Sequence, residues 1–136
     1  MTNTSLAKCY LVKARHRLKV PAVLFEDGAY SDVVREAQEV VELALKGMLR
    51  QVGVEPPRWH DVGQLLEEHR DRFAPSIVES LPRLVEASAW LRKEREFAFY
   101  GDIDFIPTER YSSDDATRAM DAAGLAVQVA ALVIPG

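Results

Sequence analysis

The sequence predicts an all-α fold, a four-helix up-and-down bundle with one additional short helix. Three observations lead there. Apolar residues recur at spacings of three and four through most of the chain, the period of a helix with one buried face, and no segment reads as a strand. The long amphipathic segments are joined by short connections, which favours antiparallel neighbours. The chain has 136 residues, 48% of them apolar, which is one domain's length with enough apolar material for its core. Residues 1–136 therefore read as a single unit.

In the first segment Leu6, Tyr10, Ala14, Leu18, Ala22 and Phe25 form the repeating stripe. Pro21 interrupts it and is expected to kink or split the helix, because proline lacks the amide donor and clashes with the preceding turn. Asp27-Gly28 supplies a turn. The second helix has the clearest pattern: Val33, Ala37, Val40, Val41, Ala44, Leu45, Met48 and Leu49 share one face, with Ser31 as the expected N-cap. Glu42 with Lys46, and Arg35 with Glu39, stand four residues apart on it, and Gly53 ends it. Pro56-Pro57 opens a loop. Asp61 is expected to cap a short helix reaching His69, with Gln64 completing a capping-box pattern. Pro75 begins the next long segment, in which Ile77, Leu81, Leu84, Ser88 and Leu91 line one face; Ser80 caps it and Pro82 sits in its first turn. After an irregular stretch from Gly101 to Tyr111, Ser112 to Asp115 cap the last helix, whose inner face is Ala116, Met120, Ala123, Val127 and Ala130.

Composition narrows the setting. The N-terminal residues lack the apolar run of a signal peptide, and no stretch approaches the roughly 18 apolar residues of a membrane span. Cys9 is the only cysteine, which rules out an internal disulfide and fits a reducing compartment. A cytoplasmic protein without membrane attachment is expected, with Cys9 as a packing residue of the first helix. Net charge is −4 and the pI is near 5.4, which argues against general nucleic-acid affinity. The charge is uneven, however. Lys8, Lys13, Arg15, Arg17 and Lys19 precede the first acid, Glu26. Such a run is a solvated helix face, or a docking surface for an acidic partner or a phosphate backbone; on charge alone the solvated face is preferred.

One segment breaks the amphipathic pattern: Leu91-Arg92-Lys93-Glu94-Arg95-Glu96-Phe97-Ala98-Phe99-Tyr100-Gly101-Asp102. At 100° per residue Arg95 lies about 20° from Leu84 and about 40° from Leu91, so it continues the inward stripe, while Arg92 lies about 80° from Leu84, toward its edge. A charge on a core stripe needs a partner, since a buried ion left unpaired costs about 3–5 kcal/mol. That partner is a carboxylate such as Asp102 in a structural ion pair, or an anionic ligand in a cleft. Phe97, Phe99, Tyr100, Phe105 and Tyr111 gather nearby, either as a small core anchoring the loop or as a stacking surface for a base. His16 is expected in solvent, His60 in the loop before the short helix, and His69 at that helix's C-terminus, where a cation is favoured. No His, Cys and carboxylate pattern has metal spacing, and no glycine-rich loop cradles phosphate; Asp102 and Asp104 offer only weak cation ligands. Neither metal nor cofactor is expected.

The run from Ala37 to Leu49, AQEVVELALKGML, resembles the second-helix signature of HEPN domains. The order Gly53, Pro56, His60, Asp61, Leu65 and Leu66 matches that family's glycine-containing loop, histidine and leucine-rich short helix. The run from Arg95 to Asp102, REFAFYGD, resembles its arginine-centred motif, and the similarity extends from Leu6 to Val127. The resemblance implies a four-helix up-and-down bundle, commonly a homodimer, with the arginine motif facing a cleft near the two-fold axis.

It also implies one of two functions. Some HEPN domains are metal-independent endoribonucleases, often toxins of toxin–antitoxin pairs, whose motif places a histidine beyond an arginine with four to six residues between (R-x4-H in its shortest form). Others are non-catalytic partners of minimal nucleotidyltransferases and bind nucleotides. Here no histidine lies five to seven positions after any arginine, and five from Arg95 is Tyr100. A tyrosine, with an ordinary pKa near 10, is a poor general base at neutral pH, whereas histidine near 6.5 is well matched. The expected function is therefore a non-catalytic module that binds a nucleotide, RNA or a nucleotidyltransferase partner through Arg95, Arg92, Tyr100 and Asp102. The alternative is an endoribonuclease using Arg95 and Tyr100.

Overall fold

A computed structural model of the chain describes residues 3–56, 58 and 61–136. The regular elements among them are all helical: α1 (Asn3–Arg17), α2 (Lys19–Glu26), α3 (Tyr30–Gln51), α4 (Val62–Glu68), α5 (Pro75–Val78), α6 (Leu81–Phe99), α7 (Pro107–Arg110) and α8 (Ser113–Val133), with a 3-10 turn at Arg70–Arg72. The one strand-like feature is an isolated bridge between Asp102 and Phe105. The fold is all-α, as expected. The division into four main helices and one short one is too coarse, because α2, α4, α5 and α7 all stand between the four long helices α1, α3, α6 and α8.

α3 is the central element, packed against α8, α1 and α6. Every apolar residue assigned to its stripe is buried, and Val34 and Gly47 are buried beside them. Burying one such side chain contributes about 1.5–3 kcal/mol, which is why a helix covered on three sides dominates the core. Its start differs from expectation. Ala29 is the N-cap residue, without a side-chain cap, and Ser31 lies inside the helix, buried at 5% exposure. Gly53 follows α3 with φ of +82°, a left-handed conformation that costs glycine little and reverses the chain.

Pro21 splits the first segment as expected, with the break at Leu18. The buried face differs from the expected one: Ala7, Leu11, Ala14 and Pro21 are inside, while Leu6 and Ala22 are exposed. The physical reason is drift. A run of residues four apart rotates by about 40° per step, so Leu6-Tyr10-Ala14-Leu18-Ala22 winds off its face, whereas 7-11-14-18-21 alternates four and three and stays on it. Cys9 follows the same correction. It is exposed rather than packed.

Of the remaining caps, those of Asp61 and Ser112 follow the sequence, whereas Ser80 precedes α6 without a side-chain cap and, among the described residues, Gln64 completes no capping box at α4. The Asp61 carboxylate accepts from the Gly63 amide at 3.0 Å and caps α4, with His69 at its C-cap. Ser112 and Asp115 form a reciprocal capping box at α8. The segment opened by Pro75 is two helices, α5 and then α6, with Pro82 in the first turn of α6. On α8, Ala116, Ala123, Val127 and Ala130 are buried with Ala119, Ala126 and Val129, while Met120 is half-buried. By length and composition α8 does reach the range of a membrane-spanning helix, at mean hydropathy 1.2, contrary to the reading that no stretch approaches it. Alanines raise that mean, and they let α8 lie close against α3. The expectations for Pro57 and His60 lie outside the described residues.

Candidate functional site

The inner stripe of α6 begins as the periodicity dictates, with Leu81, Leu84, Ser88 and Leu91 buried. One turn further Arg95 keeps the stripe's direction but is not buried: its side chain is 52% exposed. The inward-facing reading of Arg95 therefore fails. What changes is the surface opposite, where α3 presents Arg35, Glu39 and Glu42 in place of apolar residues. Arg95 donates to the Glu39 carboxylate at 3.4 Å and Arg92 to Glu42 at 3.3 Å. The carboxylate partner of Arg95 is thus on α3; Asp102, the partner considered from sequence, is engaged elsewhere.

Glu39 is shared. Arg35 also donates to it, at 3.0 Å, and Arg35 lies 3.9 Å from Glu36, which in turn pairs with Arg17 at 3.5 Å. One carboxylate between Arg35 and Arg95 leaves net positive charge at the mouth of the α3–α6 cleft. Glu42, expected to pair with Lys46 along the helix, instead turns to Arg92 and to the Gln38 amide at 3.2 Å. An ion pair as exposed as Arg95 with Glu39 contributes about 0.2–1 kcal/mol, too little to explain by stability alone why two arginines line this cleft.

The cleft encloses about 350 Å³, lined by Gln38, Glu39, Glu42 and Lys46 of α3, Arg92 and Arg95 of α6, and Arg58 of the loop before α4. Four cations face two carboxylates. At its floor Gln38 is 3% exposed, and its side-chain oxygen Oε1 has no hydrogen-bond partner. A buried amide oxygen left unpaired costs about 1–3 kcal/mol, while the same amide's nitrogen is held by Glu42. A recess of about 220 Å³, lined by Arg35, Glu96, Phe99 and Tyr100, shares Arg95 with the cleft. Another of about 520 Å³, where Arg50, Tyr10 and Glu55 take part, shares Lys46 and Arg58 with it.

The aromatic cluster divides between its two expected roles. Phe97 packs on Phe105 at 5.1 Å between centroids and Phe105 on Tyr111 at 5.7 Å, anchoring the loop. The Tyr111 hydroxyl donates to Glu94 at 2.8 Å; burial first, then that carboxylate, raises its pKa above the ordinary tyrosine value. Phe99 and Tyr100 instead face outward, 4.7 Å apart, with the Arg35 guanidinium 5.0 Å over the Phe99 ring. The loop closes at Gly101, whose φ is +72°; a side chain there would stand 2.5 Å from the Phe105 carbonyl oxygen.

Of the residues singled out from sequence, the structure brings Arg92 and Arg95 into one cleft and Tyr100 into the recess that shares Arg95. Asp102 is placed apart from them: its backbone pairs with Phe105, and its carboxylate accepts from the Ile103 amide at 2.7 Å. Among the described residues no group of three or more His, Cys, Asp or Glu is placed to hold a metal ion. Sequence reasoning missed Gln38, Glu39, Glu42, Lys46 and Arg58 as cleft residues. A signal was present: Arg35, Glu39, Glu42, Lys46 and Arg50 recur at four, three, four and four, a polar stripe along a helix otherwise inside the core.

An all-α domain with a basic cleft between two long helices defines the class. The HEPN domain family profile matches residues 7–131, and the chain belongs to that family. A sequence comparison with curated proteins gives no match.

Proposed function

We propose that this chain is a non-catalytic HEPN module that binds a nucleotide in the α3–α6 cleft and works with a minimal nucleotidyltransferase. The carrying observation is that Arg92, Arg95, Lys46 and Arg58 line one cleft against only two carboxylates, Glu39 and Glu42. Arginine forks suit phosphate oxygens. On this reading α1, α3, α6 and α8 form an up-and-down bundle, two copies pair with their arginine motifs near the two-fold axis, and the module acts in the cytoplasm within a toxin–antitoxin type pair. Tyr100, 75% exposed, borders the ligand without moving a proton.

Calorimetric titration with ATP tests the proposal. ATP is expected to bind the wild type, and Arg95→Ala is expected to weaken binding at least about tenfold, with the helical spectrum retained. Tyr100→Phe is expected to have a mild effect, and RNA incubated with the protein is expected to stay intact. Metal-independent RNA cutting, stopped by both Arg95→Ala and Tyr100→Phe, would replace this reading with the endoribonuclease one.

A further inference from the structure

The outer face of α1 is not used by the cleft. Its inner face, Ala7, Leu11 and Ala14, is buried. Opposite it Ser5, Cys9, Val12 and His16 are all exposed and follow one another at four, three and four, within about 60° of arc. That spacing is the four-three rhythm of a helix–helix seam, with Val12 its one branched apolar side chain. Lys8 and Arg15 lie on one flank, about 20° apart, and Lys13 and Arg17 on the other, about 40° apart. Arg17 is drawn back to Glu36 at 3.5 Å. Lys8, Lys13 and Arg15 have no ion-pair partner among the described residues, nor does Lys19 just beyond. The chain has 21 acidic residues and none of them precedes Glu26, so this helix faces solvent as an uncharged strip between two basic edges on an otherwise acidic protein.

We infer that this face docks an acidic amphipathic helix of a partner protein. Charge selects the occupant. Residues flanking a helix–helix seam set partner choice through interhelical ion pairs, and here the unpaired flanking residues are all basic. A second copy of the chain would set lysine against lysine in either orientation, and is repelled. A phosphate backbone would satisfy the cations but gains nothing from the strip between them, where Val12 is 44% exposed. A helix with apolar residues in its seam and glutamate or aspartate on its flanks meets both. From Ser5 to His16 the seam runs about 17 Å, which places the contact among small, salt-sensitive interfaces. Ser5, Cys9, Val12 and His16 line neither the cleft nor the two recesses beside it, so the inference stands apart from the nucleotide reading.

The probe is a synthetic three-heptad peptide with leucine in the seam and glutamate at both flanks, followed by fluorescence anisotropy on the whole chain. A twin with lysine at the flanks and a single-stranded RNA oligonucleotide serve as comparisons. The glutamate peptide is expected to bind, more weakly as salt rises, and to slow the reaction of Cys9, the chain's one thiol, with a thiol reagent. The triple variant Lys8→Glu, Lys13→Glu, Arg15→Glu is expected to lose the glutamate peptide by at least about tenfold and to gain the lysine twin. Should that variant not fold, Lys8→Gln with Arg15→Gln is expected to lower affinity and flatten its salt dependence. The inference is overturned if the wild type ignores the glutamate peptide, if charge reversal leaves binding unchanged, or if Cys9 reacts at the same rate with peptide bound. RNA binding lost in the triple variant, with the peptide ignored throughout, would assign the face to phosphate instead. Arg95→Ala is expected to leave peptide binding unaltered.

Discussion

Leu81, Leu84, Ser88 and Leu91, in the first three turns of α6, are each buried, whereas Arg95, one turn further on the same stripe, is half in solvent. The two ends of the helix obey one periodicity and meet different surfaces. The first lies over the apolar residues of α3 and the short helix α4, which packs on it. The second overhangs Arg35, Glu39 and Glu42 of α3 and continues into exposed Phe99 and Tyr100. Helical spacing therefore tells which direction a side chain takes, and the opposite element decides whether that direction is core or cleft. The same holds for α3, whose apolar residues build the core while its polar stripe floors the cleft.

The largest effect is expected at the core end of this contrast. Leu45 has no exposed surface and sits mid-stripe on α3. Leu45→Asp would bury an unpaired carboxylate and is expected to cost more than about 4 kcal/mol, abolishing the cooperative thermal transition seen by circular dichroism. A near-normal melting temperature would mean that the buried face of α3 is misassigned.

The two halves of α6 are then separable by a matched pair. Leu84→Ala leaves a cavity among buried neighbours and is expected to cost about 2–5 kcal/mol in urea unfolding. Arg95→Ala removes an exposed ion pair and is expected to cost under about 1 kcal/mol. Equal costs would erase the distinction between a core end and a cleft end.

This difference also explains what could be read from the sequence. The α3 stripe, the first half of α6, the Asp61 and Ser112 caps and the break near Pro21 were legible because each depends on residues within a turn or two of one another. The face of α1 was half legible: apolar residues fit both a run of fours and an alternation of fours and threes, and only packing on α3 selects the second. Arg95 and Arg92 were legible as a departure from pattern. Their partners were not, since Glu39 and Glu42 are 56 and 50 residues earlier than the arginines they pair with and read locally as members of intrahelical pairs. Gln38 was invisible for a similar reason. A glutamine beside a stripe is ordinary until α6 closes over it.

Tyr111 joins the loop to the second half of α6 through its bond to Glu94, at 2.8 Å. Tyr111→Phe keeps the ring contacts and is expected to cost about 1 kcal/mol. Because the folded-state pKa is raised, first by burial and then by the Glu94 carboxylate, the stabilisation is fully present below the unfolded tyrosine value near 10 and is lost as pH rises beyond it. Urea unfolding of the two proteins should thus give a constant difference from neutral pH up to about 10, shrinking above that. A difference that grew with alkalinity would contradict the assigned hydrogen bond.

The smallest expected effect on stability comes from Glu39→Gln, and it bears most directly on the cleft end. Glu39 holds Arg35 at 3.0 Å and Arg95 at 3.4 Å, and the Arg95 pair is solvent-screened. Replacing the carboxylate with an amide keeps the shape and a hydrogen-bond acceptor, so the stability change is expected to stay within about 0.5–1 kcal/mol. Anion binding should respond in the opposite direction to Arg95→Ala. In the free protein Glu39 neutralises the arginine that a phosphate would otherwise engage, and an incoming anion must displace it or share with it. Removing that competition is expected to tighten ATP binding several-fold, with the gain lost again in the double variant Glu39→Gln, Arg95→Ala. If Arg95 were present only to pair with Glu39, the amide would lower stability and leave affinity for the anion unchanged, and the two arginines of α6 would have to be read as scaffold.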